Sequence, residues 1–126
     1  MNGAAELRIR PVLGLPEIGA GDPLGALIAE RAETLVDGDV VVISQKVVSK
    51  AEGRTRRLSS VIPSAEASKL ARILGKEPNL VQLILEERAE VIRAERGVLI
   101  VETRHGLVCA NAGIDSSNVS DSESVL

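Results

Sequence analysis

Aromatic side chains are absent from this chain of 126 residues: it has no Phe, Tyr or Trp, although 44% of its residues are hydrophobic. The core must therefore be aliphatic, and a ligand ring would find no aromatic partner in this chain. Without stacking platforms, and with a formal net charge of −3, the chain lacks the usual means of binding nucleic acid, which we exclude as a partner. The basic run at residues 54–57 is the exception, and a solvated loop explains it best.

Cysteine and histidine are nearly absent, with one residue of each type. A single Cys excludes an intramolecular disulfide framework, and one His with one Cys cannot form a structural zinc site or an HExxH site. Carboxylates must therefore carry any metal. Cys109 alternates within an apolar strand, which favours a buried, inert thiol, and His105 is interpreted as an exposed turn residue.

Membrane and secretion signals are also missing from the sequence. No apolar run approaches the roughly 18 residues of a membrane span, and nothing near the amino terminus resembles a signal peptide. We therefore expect a cytoplasmic location and no membrane partner. There is no GxxxxGK[ST] loop, and the glycines at residues 19–25 have the wrong spacing for a dinucleotide fingerprint, so nucleotide binding would need another architecture.

Hydrophobic spacing predicts one domain over residues 1–126. The predicted elements are an edge strand at 7–13, a helix from an Asp22 cap to about Val36, a buried central strand at 40–44, helices at 64–74 and 78–88, a strand at 91–93, and hairpin strands at 97–101 and 107–110. A turn at residues 104–106 would join the last two strands. This order is typical of an α+β fold with a mixed β-sheet and flanking short helices.

Polar side chains follow the predicted strand at 40–44: Gln45, Lys46, Ser49 and Lys50. Such a position at a strand end is common for ligand contacts. Lys50 has two interpretations, since its ammonium could extend into water from the strand end or act as a point charge on a phosphate. The residues alone leave these alternatives open.

The loop at residues 113–118 contains Asp115 among Ser116, Ser117 and Asn118. Mg²⁺ prefers oxygen ligands of this kind, often one or two carboxylates completed by water and substrate phosphates. Asp and Asn also fold back on their own backbone in Asx-turns, and local chemistry does not separate the two readings.

Three segments resemble the coenzyme F420-0:L-glutamate ligase family. They are GLPEI at residues 14–18, GDVVVISQKVVSKAEG at residues 38–53 and VETRHGLVCANAGIDSSNV at residues 101–119. The resemblance extends in register from near residue 7 to about residue 119, and the last two segments are highly specific.

The resemblance implies a GTP-dependent γ-glutamyl ligase of α+β fold that works as a homodimer. Such an enzyme adds L-glutamate to a deazaflavin coenzyme precursor in coenzyme F420 biosynthesis, through an acyl phosphate and with Mg²⁺ or Mn²⁺. It leaves the catalytic residues of this chain unassigned, but it implies a metal ligand at Asp115. The implied GTP contacts are Leu15, Pro16, Glu17, Ile18, Gln45, Lys46, Lys50 and Asn118.

Members of that family are longer, and their second part supplies further metal ligands and much of the substrate pocket. We therefore interpret residues 1–126 as the amino-terminal part of a longer ligase domain. The alternative is a truncated or diverged nucleotide-binding or dimerisation module of the same fold, without activity.

Overall fold

The computed structural model describes residues 6–115 and 124–125, and within them the chain is α+β, as predicted. The helices are α1 (Leu24–Arg31), α2 (Gln45–Ala51), α3 (Ala65–Leu74) and α4 (Pro78–Glu87). The strands are β1 (Thr55–Arg56), β2 (Arg88–Glu95), β3 (Val98–Thr103), β4 (Val108–Ala110) and β5 (Ser124–Val125). No helix in the described part is long and apolar enough to cross a membrane.

The hydrophobic core lies between the α3–α4 pair and the sheet of β2, β3 and β4. Its largest fully buried side chains come from α4 and β3 and are aliphatic, as the composition requires: Val81, Leu83, Ile84, Leu99 and Val101. Every buried member of this cluster lies between residues 61 and 114. Residues 61–114 therefore supply the main core.

Helices α3 and α4 begin and end where the sequence predicts. The Ser64 Oγ accepts a hydrogen bond from the Ala67 N–H at 3.1 Å, so it caps the first turn of α3. Gly75 ends α3 in the left-handed conformation, with φ of 63°, which glycine adopts without steric cost. Pro78 opens α4, where its missing N–H removes no helical hydrogen bond.

The three-stranded sheet is antiparallel, in the order β2-β3-β4. Strand β2 follows α4 directly, and a two-residue turn with positive φ at Arg96 and Gly97 leads into β3. The predicted hairpin of β3 and β4 is confirmed, with the Thr103 N–H donating to the Leu107 carbonyl at 2.8 Å across its turn. The expectation of a mixed sheet is wrong for the described strands, because all of their pairings are antiparallel.

The predicted strands at residues 7–13 and 40–44 do not form. Val40 is 84% exposed and Val42 is 90% exposed, and no strand lies beside either segment in the described residues. A β-branched run becomes a strand only when a neighbouring segment accepts its backbone hydrogen bonds and covers its side chains. That neighbour is missing from residues 6–115 and 124–125, so a local pattern typical of a buried strand remains extended coil.

Helix α1 is shorter than predicted at both ends. The Asp22 Oδ2 accepts from the Gly19 N–H at 2.8 Å, so this carboxylate closes a turn and does not cap the helix, whose N-cap is Pro23. The helix ends at Arg31, because Ala32 leaves helical geometry at φ −95° and ψ 57°. The apolar spacing that extends to Val36 therefore overestimates this helix.

The same truncation should cost much more stability at Val101 than at Val42. Val101→Ala removes methyl groups from a side chain with 0% exposure, and we expect it to lower the free energy of unfolding by about 2 kcal/mol. Val42→Ala, at 90% exposure, should change it by less than about 0.5 kcal/mol. Urea unfolding of both variants checks this, and equal losses would show that residues 40–44 are packed after all.

Candidate functional site

Helix α2 carries the polar residues that the sequence predicts at the end of a strand. Ser44 has extended backbone angles, φ −69° and ψ 141°, and the chain turns helical at Gln45. Ser49 is buried, and its Oγ accepts from the Gln45 Nε2 at 2.7 Å. Lys46 and Lys50 are four residues apart, so their ammonium groups project from one face of α2.

The turn at residues 15–18 lies beside α2, as expected for parts of one site. The Gly21 N–H donates to the Ala51 carbonyl at 2.8 Å, which joins this segment to the end of the helix. The Lys50 Nζ lies 3.6 Å from the Glu17 Oε1, and Ile18 is buried. Two segments predicted to contact a nucleotide are therefore brought together, and an ion pair lies between them.

Asp115, which follows α2 in the sequence, contacts the same helix. The Lys46 Nζ lies 2.9 Å from the Asp115 Oδ2, and the two side chains are only 27% and 28% exposed. Ile114, the preceding residue, is buried in the main core. The carboxylate thus directly follows a residue of the main core, while its Oδ2 contacts Lys46 of α2.

A left-handed turn sets this position of Asp115. Asn111, Ala112 and Gly113 have φ of 53°, 55° and 75°. Glycine tolerates such angles, but Ala112 is strained there, since its Cβ crowds the backbone in the left-handed region. Strained backbone of this kind clusters at functional sites, where the surrounding packing enforces it.

The two lysines of α2 each face a carboxylate from a different segment, Asp115 for Lys46 and Glu17 for Lys50. An anionic ligand would compete with those carboxylates for the ammonium groups. A cation would compete with Lys46 for Asp115. The site therefore holds exchangeable ion pairs, which a nucleotide phosphate and a divalent metal could replace together.

The residues present fit a metal ion that takes few ligands from the protein and the rest from water and phosphate oxygens. No group of three His, Cys, Asp or Glu side chains able to hold a metal occurs in the described part of the chain. Asp115 supplies one carboxylate, and the Asn111 Oδ1 is buried without a hydrogen-bond partner among the described residues. Mg²⁺ commonly uses one or two carboxylates and completes its shell with water and phosphate oxygens. The donor set suits such a cation and not a closed protein cage.

The remaining candidates are placed as follows. Asn118, predicted to contact the nucleotide, lies outside the described residues. His105 is exposed in the turn after β3, as predicted. Cys109 is a free thiol in β4, half-buried where the strand pattern predicted full burial.

Sequence reasoning missed a charged cleft at the far end of α2. It is lined by Gly53, Arg54, Arg56, Glu86, Glu87 and Arg104, and we call it the arginine cleft. The basic run at residues 54–57 is exposed, as predicted, but Thr55–Arg56 form β1, and Arg54 and Arg56 lie beside Glu87 and Glu86 at the carboxyl end of α4. The available signal was the Glu86-Glu87 pair, which ends the apolar pattern of α4 with charges opposite to that run.

Comparison with known proteins gives consistent matches. The family model described as F420-0:Gamma-glutamyl ligase matches residues 13–126. The chain is 50% identical over 114 residues to the coenzyme F420:L-glutamate ligase of Methanothermobacter thermautotrophicus, covering 87% of this chain and 45% of that protein. It is 47% identical over 118 residues to the protein of that name from Methanopyrus kandleri, covering 94% of this chain and 46% of the relative.

A third relative of that name, from Archaeoglobus fulgidus, is 45% identical over 120 residues, which cover 95% of this chain and 47% of the relative. The chain thus spans slightly less than half the length of these relatives. Because the family model matches nearly all of it and the identities are this high, the chain belongs to the F420-0:gamma-glutamyl ligase family.

Proposed function

We propose that this chain forms the nucleotide and metal side of a GTP-dependent ligase that joins L-glutamate to a coenzyme F420 precursor. The observation that carries the proposal is the Lys46–Asp115 pair, in which the Lys46 Nζ lies 2.9 Å from the Asp115 Oδ2. An ammonium group of this kind can bind a phosphate, and a carboxylate can bind a divalent metal. The relatives' names support glutamate ligation to coenzyme F420. The whole enzyme would act as a homodimer, and its nucleotide, substrates and metal are part of this proposal.

The chemistry follows from joining a carboxylate to an amine. A carboxylate oxygen of the precursor attacks the γ-phosphorus of GTP, the bond to the β-phosphate oxygen breaks, and GDP leaves. The glutamate amine then attacks the acyl carbon, an amide bond forms, and inorganic phosphate leaves while the amine loses a proton. Both steps require positioning and neutralisation of phosphate charge more than a protein nucleophile.

The residues of α2 have distinct parts in this scheme. Lys50 would exchange its ion pair with Glu17 for a contact with a phosphate oxygen. Lys46 would likewise bind a phosphate oxygen once Asp115 binds the metal. Mg²⁺ or Mn²⁺, held by Asp115, would supply further neutralisation of phosphate charge. Gln45, fixed by its hydrogen bond to Ser49, and the turn at Leu15, Pro16, Glu17 and Ile18 would position the nucleotide, together with Asn118.

A second candidate is a nucleotide-binding or dimerisation module without turnover. The observation in its favour is the metal site itself, which has one carboxylate and no three-ligand cluster in the described residues. Chemistry that needs more metal ligands would then require a further protein segment.

Release of GDP separates the two candidates. The chain is incubated with GTP, Mn²⁺, L-glutamate and the deazaflavin precursor, and GDP is quantified by chromatography. Turnover that depends on all four components and disappears in Asp115→Ala establishes the ligase. GTP binding with no GDP above the Asp115→Ala background would leave the binding module as the function of this chain.

Replacing Lys46 by Gln should raise the affinity for Mn²⁺ and lower the affinity for GTP. The Asp115 carboxylate loses its ammonium partner, so the affinity for Mn²⁺ alone should rise several-fold, because a competing cation is gone. GTP should bind at least about tenfold more weakly, since a charge-assisted hydrogen bond to phosphate is lost.

Electron paramagnetic resonance of free Mn²⁺ and calorimetry with GTP measure the two affinities. Lys69→Gln, which removes an exposed Lys on α3, is the control for the change in net charge. If Lys46→Gln lowers both affinities, or neither, the ion pair is not exchanged between the two ligands.

A further inference from the structure

The arginine cleft collects charges of both signs from three separate parts of the chain. Arg54 and Arg56 follow α2, Glu86 and Glu87 end α4, and Arg104 follows β3. The Arg104 N–H donates to the Glu87 carbonyl at 3.2 Å, so the turn after β3 is fastened to the end of α4. The cleft is therefore built by the tertiary fold and not by a local run of basic residues.

The charges in the cleft are unequally matched. Arg54 forms an ion pair with Glu87, whereas the Arg56 Nη2 lies 3.9 Å from the Glu86 Oε2, at the outer limit of such a pair. The Arg104 guanidinium makes no ion pair with any residue that the structure describes. The Glu86 Oε1 accepts from the Gln82 Nε2 at 3.2 Å, so the Arg104 guanidinium and the Glu86 Oε2 are the groups most open to a ligand.

The cleft also has a defined place relative to the proposed nucleotide site. The Gly53 N–H donates to the Lys50 carbonyl at 3.0 Å and the Arg54 N–H to the Ser49 carbonyl at 2.8 Å, which fold the loop onto the end of α2. Helix α2 has seven residues, so its two ends are about 10 Å apart. A small molecule in the cleft would lie at the opposite end of α2 from Gln45 and Lys46.

We propose that the arginine cleft is the binding site for the L-glutamate substrate, with Arg104 binding one of its carboxylates and Glu86 its ammonium group. This inference rests on the proposed function. L-Glutamate keeps both carboxylates unreacted in the ligation, so an arginine can hold one throughout, and the planar guanidinium matches a carboxylate with two parallel hydrogen bonds.

The mixture of charges is what selects an amino acid. A phosphate or phosphodiester group would gain from Arg104 but would be disfavoured by the Glu86 carboxylate, whose pairing with Arg56 is long, whereas the ammonium of L-glutamate is attracted to that carboxylate. Transfer of one ammonium proton to the Glu86 carboxylate would free the nitrogen lone pair to act as the nucleophile of the second step. The cleft would hold the amino acid and leave the α2 lysines to the phosphates.

Calorimetric titration of the chain with L-glutamate, with and without saturating GTP and Mn²⁺, tests the assignment. Arg104→Ala should weaken L-glutamate binding by about tenfold or more, the loss expected for a charge-assisted hydrogen bond, and Arg104→Lys should recover only part of it. Arg72→Ala, which removes an exposed Arg from α3, should leave the affinity unchanged. Arg104 is exposed, so its variants should keep the thermal stability of the parent chain.

Glutarate, which has both carboxylates but no amine, separates the two roles. Glu86→Gln should weaken L-glutamate several-fold and leave glutarate unchanged or tighter. Inorganic phosphate should not compete with L-glutamate in the parent chain. The inference is overturned if L-glutamate does not bind, if Arg104→Ala and Arg72→Ala bind it equally well, if phosphate displaces it, or if Glu86→Gln affects both acids alike.

Lys50→Ala distinguishes failure of this inference from failure of the proposed function. It should weaken GTP binding and leave L-glutamate binding in the absence of nucleotide unchanged. GTP binding that depends on Lys50, together with indifference of L-glutamate to Arg104, would reject the cleft and keep the function. No GTP binding by a folded chain would reject the function itself.

Discussion

The ion pair between Lys46 and Asp115 joins the two parts of this molecule. Asp115 follows Ile114, which is buried in the core between the α3–α4 pair and the sheet. Lys46 lies in α2, and no buried residue of that core precedes Val61. Ion pairs that keep contact with water contribute on the order of 1 kcal/mol, so a ligand can replace this one at small cost. The contact that orders the site is therefore also one that ligands can exchange.

The part of the fold that was predictable from sequence is the part whose signals are local. Ser64, Gly75 and Pro78 fix helix ends through backbone chemistry within a few residues, and the turn after β3 needs only Thr103 to Leu107. The strand predicted at residues 40–44 depends on a distant neighbour, and its β-branched composition does not report whether that neighbour is present. Helix α2 was missed for a related reason, because its polar residues were interpreted as the end of that strand.

The candidate site divides in the same way. Residue types and the family resemblance indicated the turn at 15–18, the lysines of α2 and Asp115 as members of one site. The pairing of Lys46 with Asp115 could not be predicted, since it depends on a left-handed turn at residues 111–113 that includes a strained Ala112. The arginine cleft was also hidden, because Arg54, Glu86 and Arg104 come from segments about 20 to 50 residues apart that only the tertiary fold brings together.

Binding of a metal and GTP at Lys46 and Asp115 is tested most directly by paramagnetic broadening. Mn²⁺ is added to the ¹⁵N-labelled chain, and the amide signals are recorded. In the presence of GTP, substoichiometric Mn²⁺ should broaden the amide signals of Lys46 and Asp115 first and leave that of Lys69 on α3 sharp. Asp115→Asn should abolish the selective broadening. Sharp Lys46 and Asp115 signals while signals elsewhere disappear, or an Asp115→Asn variant without effect, would contradict metal binding at Asp115.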